Sequence, residues 1–243
     1  MVDDMKKLFI GTPAYEGKVY VQYAMALLDT CELLKSCGIE PVVRIPVSGS
    51  LLVADRNRLI QMFWESDCDY MLCIDNDLGW NPYTVMKMLN SGKDFVAGVY
   101  PTRNNEGFTF RPETEEDGKI VQCPETQLLQ MQYIPAGFML FSREVIAKMR
   151  EKYPELYYSP KDPRSKTESA FCFFDTLVWE GEFWGEDYVF CKRVRDAGIN
   201  IWVDSMIDFN HAGVCGSLIQ SLTTDKSLAQ GNVPTSEVQH TPS

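Results

Sequence analysis

The feature that most constrains the fold is an alternation of apolar runs with amphipathic stretches through the first hundred residues. Lys7 to Ile10 is a short apolar run ending at Gly11, and Val19 to Cys37 has helical length and apolar spacing, closed by Gly38. Pro41 to Val47 reads as a strand, Leu51 to Ser66 as a helix, and Tyr70 to Ile74 as a continuous apolar strand of the buried kind. Pro82 to Asn90 follows as a helix with proline in its first turn, then Phe95 to Tyr100 as another strand. The order β-α-β-α-β-α-β predicts an α/β chain with a Rossmann-like, mostly parallel central sheet flanked by helices.

The second half changes character. Residues 101 to 130 are polar, with a hairpin expected at Asp117-Gly118, and strand-like runs follow at Tyr133-Ile134 and Phe138 to Phe141. Arg143 to Lys152 reads as a short helix, 153 to 170 as a long proline-containing loop, Glu186 to Ala197 as a helix closed by Gly198, and Asn200 to Val203 as a last strand. Beyond Gly216 the chain is polar without sustained periodicity, so 217–243 is expected to be a disordered tail or a linker to further domains.

Composition limits the partners. With 243 residues the chain can bury a sizeable core, and 34 acids against 23 bases give a net charge of -11, which argues against a grip on nucleic-acid phosphates. The eight cysteines include no CxxC pair, and with only His211 and His240 no zinc-ligand spacing appears, so reduced thiols are expected. Acids stand where a secretory signal would carry bases, and no apolar run approaches the roughly 18 residues of a spanning helix. The expectation is a cytoplasmic chain without a transmembrane anchor.

Three segments carry chemistry. Tyr70 to Ile74 runs into Asp75-Asn76-Asp77, at the sheet edge where open α/β folds bind ligands. Residues i and i+2 of a strand project to the same side, so the two carboxylates can converge on one point, where a divalent cation or a hydroxylated ligand would sit between them. A helix cap or turn is the structural alternative. In Phe183-Trp184-Gly185-Glu186-Asp187-Tyr188 two acids open a helix among aromatics, a setting that raises the basicity of a carboxylate, or simply stabilises a helix N-terminus. His211 lies in Asp208-Phe209-Asn210-His211-Ala212-Gly213, read as a loop after the last strand, from which the imidazole reaches a metal or an anion or makes a structural hydrogen bond.

The order of these motifs resembles the GT-A fold nucleotide-sugar-dependent glycosyltransferases with a DxD motif, over about residues 6 to 215. The resemblance rests on Gly11-Thr12-Pro13-Ala14-Tyr15, Asp55-Arg56-Asn57-Arg58, Asp75-Asn76-Asp77, Pro135-Ala136-Gly137-Phe138-Met139, Gly185-Glu186-Asp187 and His211. In size the chain is similar to small virus- or phage-encoded members of the algal-virus type, which would place it in a host cytoplasm. The resemblance implies one GT-A-like domain over 1–216, with 1–100 as the nucleotide-sugar-binding half, 101–216 as the acceptor and catalytic half, and a smaller acceptor-side β region beside the central sheet. It further implies Mn2+ or Mg2+ held by Asp77 and His211, with Asp75 on the metal or the donor ribose and Asn76 beside them. Thr12, Pro13 and Tyr15 would meet the nucleoside, and Asp55 and Arg58 the base, ribose or diphosphate. The donor it implies is a UDP-sugar and the acceptor a glycan or other hydroxyl compound. Asp187 would be the base of an inverting transfer, Glu186 a supporting or acceptor-binding acid, and Trp184 and the 153–170 loop acceptor-side elements. Two other readings remain open. One is a sugar-phosphate nucleotidyltransferase, although Glu16 stands in the first loop where a basic residue is usual. The other is a non-catalytic nucleotide-sugar or glycan-binding module.

Overall fold

The apolar runs of the first half become strands of one eight-stranded sheet in the computed structural model, which describes residues 7–48, 51–103, 107–161, 170–211 and 214–218. The strands are β1 (Lys7–Gly11), β2 (Glu40–Arg44), β3 (Tyr70–Ile74), β4 (Phe95–Ala97), β5 (Arg111–Pro112), β6 (Leu129–Tyr133), β7 (Phe138–Ser142) and β8 (Ile201–Val203). Their order across the sheet is β2-β1-β3-β7-β4-β8-β6-β5. β1 lies parallel to β2 and β3, and β4 parallel to β8. β7 is antiparallel to both β3 and β4, while β6 is antiparallel to β8 and β5. Only β6 and β7 therefore run against the common direction. The wedge of β7 is a long-range pairing that separates β3 from β4, two parallel-running strands of the first half of the chain.

The helices α1 (Val21–Ser36), α2 (Leu52–Glu65), α3 (Pro82–Asn90), α4 (Arg143–Lys152) and α5 (Glu186–Asp196) cover both faces. Strand alternation decides which face each residue feeds. Leu8, Ile10, Leu72, Ile74, Phe138 and Leu140 pack with α1 and α3, whereas Phe9, Met71, Cys73, Met139 and Phe141 pack with α2, α4 and α5. α1 buries Tyr23, Ala26, Thr30 and Leu34, the i, i+3, i+4 stripe of a helix lying on a sheet. It ends as its sequence indicates. Gly38 adopts φ 77°, its N–H donates to the Lys35 carbonyl, and the Ile39 N–H reaches back to Leu34. Gly198 closes α5 in the same way, with Ile199 bonding Val194.

Several local expectations are corrected. The fourth strand ends at Ala97 rather than Tyr100, although the Gly98 N–H still donates to the Phe138 carbonyl at 3.0 Å, and the Gly98 backbone passes so close to the Phe209 ring that a Cβ would have no room. The loop from 153 holds a short turn, Pro154–Leu156, and a two-residue ladder between Tyr157–Tyr158 and Ala170–Phe171. A hairpin that was not anticipated joins Leu177–Trp179 to Glu182–Trp184 through Glu180 and Gly181, both with positive φ, the tight-turn form that suits strand twist. The expected tail lies from residue 219 onward outside the described residues, as does His240. Among the described residues no helix is long and apolar enough to cross a membrane.

Candidate active site

The chain leaves β1 and β3, and enters β7, at the same edge of the sheet. This brings the Thr12 loop, the Asp75 to Asp77 turn and Ala136-Gly137 together. β3 stops at Ile74, and the next residues turn, with the Leu78 N–H bonding the Asp75 carbonyl at 3.4 Å. The i, i+2 rule therefore lapses, and the two carboxylates go to different partners instead of converging. This corrects the expectation of a shared Asp75, Asp77 and His211 metal set.

Asp75 Oδ1 accepts from Arg56 Nη2 at 2.9 Å. Arg56 is buried on α2, donates through Nη1 to the Ala136 carbonyl at 2.9 Å, and lies over the Phe174 ring. Its Nε lacks a hydrogen-bond partner and faces Glu186 Oε1 at 3.8 Å. Burial disfavours the guanidinium, yet the Asp75 charge outweighs that and holds it more firmly protonated than usual. Asn57, next along, clamps the backbone of Phe174 with both amide atoms at 2.8 Å.

Glu186 and Asp187 open α5, as expected, beside Trp184 and Tyr188, which pack on Tyr133. Phe183 does not join them, being 75% exposed on the hairpin. Burial, followed by the neighbouring Glu186 charge, pushes the Asp187 carboxyl up to about 6. Tyr100 stands behind the same group, with its hydroxyl accepting from the Gly137 N–H at 3.0 Å, and burial holds the phenol well above its ordinary pKa.

Asp77 and His211 form the other cluster. His211 is in a strand, not a loop: Asp208–His211 pairs antiparallel with Leu78–Trp80, in a register that sets His211 opposite Leu78, one residue from Asp77. His211 Nε2 lies 3.1 Å from Asp77 Oδ2, and its Nδ1, 2.6 Å from the Pro101 carbonyl, donates to it. Arg103 completes the cluster through Nε at 2.8 Å from Asp77 Oδ2, a second short contact from Nη2, and Nε at 3.3 Å from His211 Nε2. Burial alone would raise the Asp77 carboxyl, but the bonds from His211 and Arg103 hold it below its usual value. Burial works against the imidazolium too, and the Asp77 and Pro101 partners outweigh it, so the His211 pKa is raised.

These two side chains fit a divalent cation. A carboxylate oxygen and an imidazole nitrogen lie 3.1 Å apart, a separation that one cation can span in place of their mutual hydrogen bond, the Nδ1–H bond to a carbonyl is what orients an imidazole ligand, and a guanidinium already stands there as a cation. Asp75 is committed to Arg56, so diphosphate oxygens and water would supply the remaining ligands. Among the described residues no three His, Cys, Asp or Glu side chains form a group able to hold a metal ion by themselves.

The other expected contacts are spread around this edge. The Thr12 hydroxyl bonds the buried Tyr23 phenol at 2.6 Å, Pro13 is buried, and Tyr15 is exposed. Asn76 ties Lys18 and Tyr20 of the first loop to the turn through its side-chain amide and its carbonyl. Asp55 is buried in the first turn of α2, and Arg58 is half-buried, two positions and so roughly 200° round the helix from Arg56. Arg56 and Arg103 are the site residues not singled out from sequence. Arg56 was legible, because it falls in the stripe 56, 59, 60, 63 with Leu59, Ile60 and Phe63.

No protein-family model matches the chain, and no curated protein matches it in sequence. Solved structures resemble it loosely. TarS 1-349 of S. aureus has a TM-score of 0.44 at 14% identity over 83% of this chain, which spans 58% of that one. The inositol-1-phosphate CTP transferase of T. maritima has 0.44 at 10% identity, covering 92% of this chain and 96% of its own. GalNAc-T7 with UDP, GalNAc and Mn2+ has 0.45 at 9% identity, over 85% of this chain and 44% of its own. Likenesses this loose leave the chemistry to rest on the chain's own residues.

Proposed function

We propose that the chain is a metal-dependent glycosyltransferase that moves a sugar from a nucleotide sugar, a UDP-sugar in the simplest case, to a hydroxyl acceptor such as a glycan, inverting the anomeric centre. One observation carries the reading. The buried Arg56 stands between the first acid of Asp75-Asn76-Asp77 and the first acid of Glu186-Asp187, so two motifs distant in sequence face each other across one guanidinium.

The roles follow from the environments. Asp187, pushed up to about 6, is basic enough to take the acceptor hydroxyl proton and still ionised at neutral pH. The acceptor oxygen then bonds to the anomeric carbon while the bond from that carbon to the donor phosphate breaks, and the electron pair leaves on the nucleoside diphosphate. Glu186 keeps Asp187 basic and, with Asp75, lies next to Arg56, which fixes both carboxylates. Asp77 and His211 would hold the divalent cation, whose contribution is to neutralise the departing diphosphate. Tyr15 is exposed on the loop expected to meet the base, and Trp184 flanks the acceptor side.

Incubating the chain with a panel of nucleotide sugars, acceptors and Mn2+ should release nucleoside diphosphate and give a glycoside of inverted configuration by NMR. Retained configuration would remove the inverting assignment. Pyrophosphate release from a nucleoside triphosphate and a sugar 1-phosphate, without transfer, would make the chain a nucleotidyltransferase instead.

A further inference from the structure

We propose that Arg103 is a tethered cation that occupies the divalent-ion position at Asp77 and His211 and swings out when the ion binds. The inference rests on the reading of Asp77 and His211 as metal ligands.

The geometry is that of a competitor. Arg103 reaches Asp77 Oδ2 through both Nε and Nη2, and its Nε also approaches His211 Nε2, so one guanidinium engages both atoms that a metal would need. A second cation cannot share that place without strong repulsion. The burial of the partners is unequal. Asp77 has a side-chain exposure of 2% and cannot turn to water, so its charge needs a partner, whereas the Arg103 side chain is 63% exposed. Arg103 can leave by rotating a solvated side chain, with no change in the core.

The backbone of Arg103 is anchored on its N-terminal side. The Thr102 N–H donates to the Gly107 carbonyl at 2.8 Å, Pro101 bridges Phe108, and the Pro101 carbonyl is the one that orients His211. The guanidinium is therefore tethered two residues from the group that fixes the imidazole. The consequence is that the free ion binds weakly alone and better with a diphosphate, whose negative charge draws the arginine off Asp77.

Direct Mn2+ titration by calorimetry or electron paramagnetic resonance tests this without any turnover. Arg103→Gln should bind Mn2+ tighter than the unaltered chain by about fivefold, the size expected for removing a competing ion pair. Lys18→Gln, which removes an exposed cation paired with Glu16 instead of Asp77, should leave the affinity unchanged. Equal or weaker affinity in Arg103→Gln overturns the proposal, as does an equal gain in Lys18→Gln, which would reduce the effect to net charge. If the unaltered chain and Arg103→Gln bind alike while Asp77→Asn abolishes binding, the metal reading stands and the competition fails. If no form binds Mn2+, both fail.

Discussion

At the scale of single residues, the raised pKa of Asp187 has a stability consequence opposite to that of an ordinary paired aspartate. Its carboxyl titrates near 6 in the folded chain, against 3.8 as the ordinary value, because burial and Glu186 disfavour the charge. Between those two values the folded chain holds a proton that the unfolded chain has lost, so stability falls as pH rises through that window. The Asp187→Asn variant should therefore melt higher than the unaltered chain at pH 8, by the equivalent of about 1–3 kcal/mol, with the two converging toward pH 4. Equal melting at both pH values would mean that Asp187 is not held in a charge-disfavouring site. The sequence made Asp187 legible because two acids opening a helix among aromatics are conspicuous. It hid Arg103, which sits in a polar stretch whose partners, Asp77 and His211, become neighbours only through strand pairing.

At the scale of elements, α2 is held in place by a side chain from outside it. Arg143, opening α4, donates to the carbonyls of Phe63 and Trp64 in the last turn of α2, which intrahelical bonds leave open, and to those of Ser66 and Cys68 in the segment that follows. Arg143→Ala should cost about 2–4 kcal/mol in chemical denaturation while nucleotide affinity per folded molecule is kept, since Arg143 lies at the far end of α2 from Arg56. Unchanged stability would contradict the capping role. The turn into β7 gives the converse expectation. A Cβ at Gly137 would press on the Tyr100 hydroxyl and come within 2.6 Å of Asp75 Oδ2, so Gly137→Ala should weaken nucleoside diphosphate binding at least tenfold by calorimetry. Retained affinity would separate Asp75 from the donor. The strands and helices themselves were readable from apolar spacing, glycine closures and Pro82. The position of β7 was not, because an apolar run says that a strand is buried without saying between which neighbours.

At the scale of the whole molecule, a chain of net charge -11 is read as binding an anionic diphosphate, and it meets that charge locally. Arg103 lies at the sheet edge beside Asp77 and His211, the pair proposed to hold the divalent ion, whereas the buried Arg56 is already balanced by Asp75 and Glu186. The fold makes this possible by interleaving the two halves, since β7 from the second half separates β3 from β4 of the first. The most direct test of the account is the rate of nucleotide-sugar cleavage in Mn2+ across pH 5 to 9, measured for the unaltered chain and for Asp187→Asn. The account predicts a rate that falls about tenfold per unit below pH 6 in the unaltered chain, and a loss of at least 100-fold in Asp187→Asn with nucleoside diphosphate binding preserved. A flat profile through pH 6, or a variant that turns over at full rate, would contradict it.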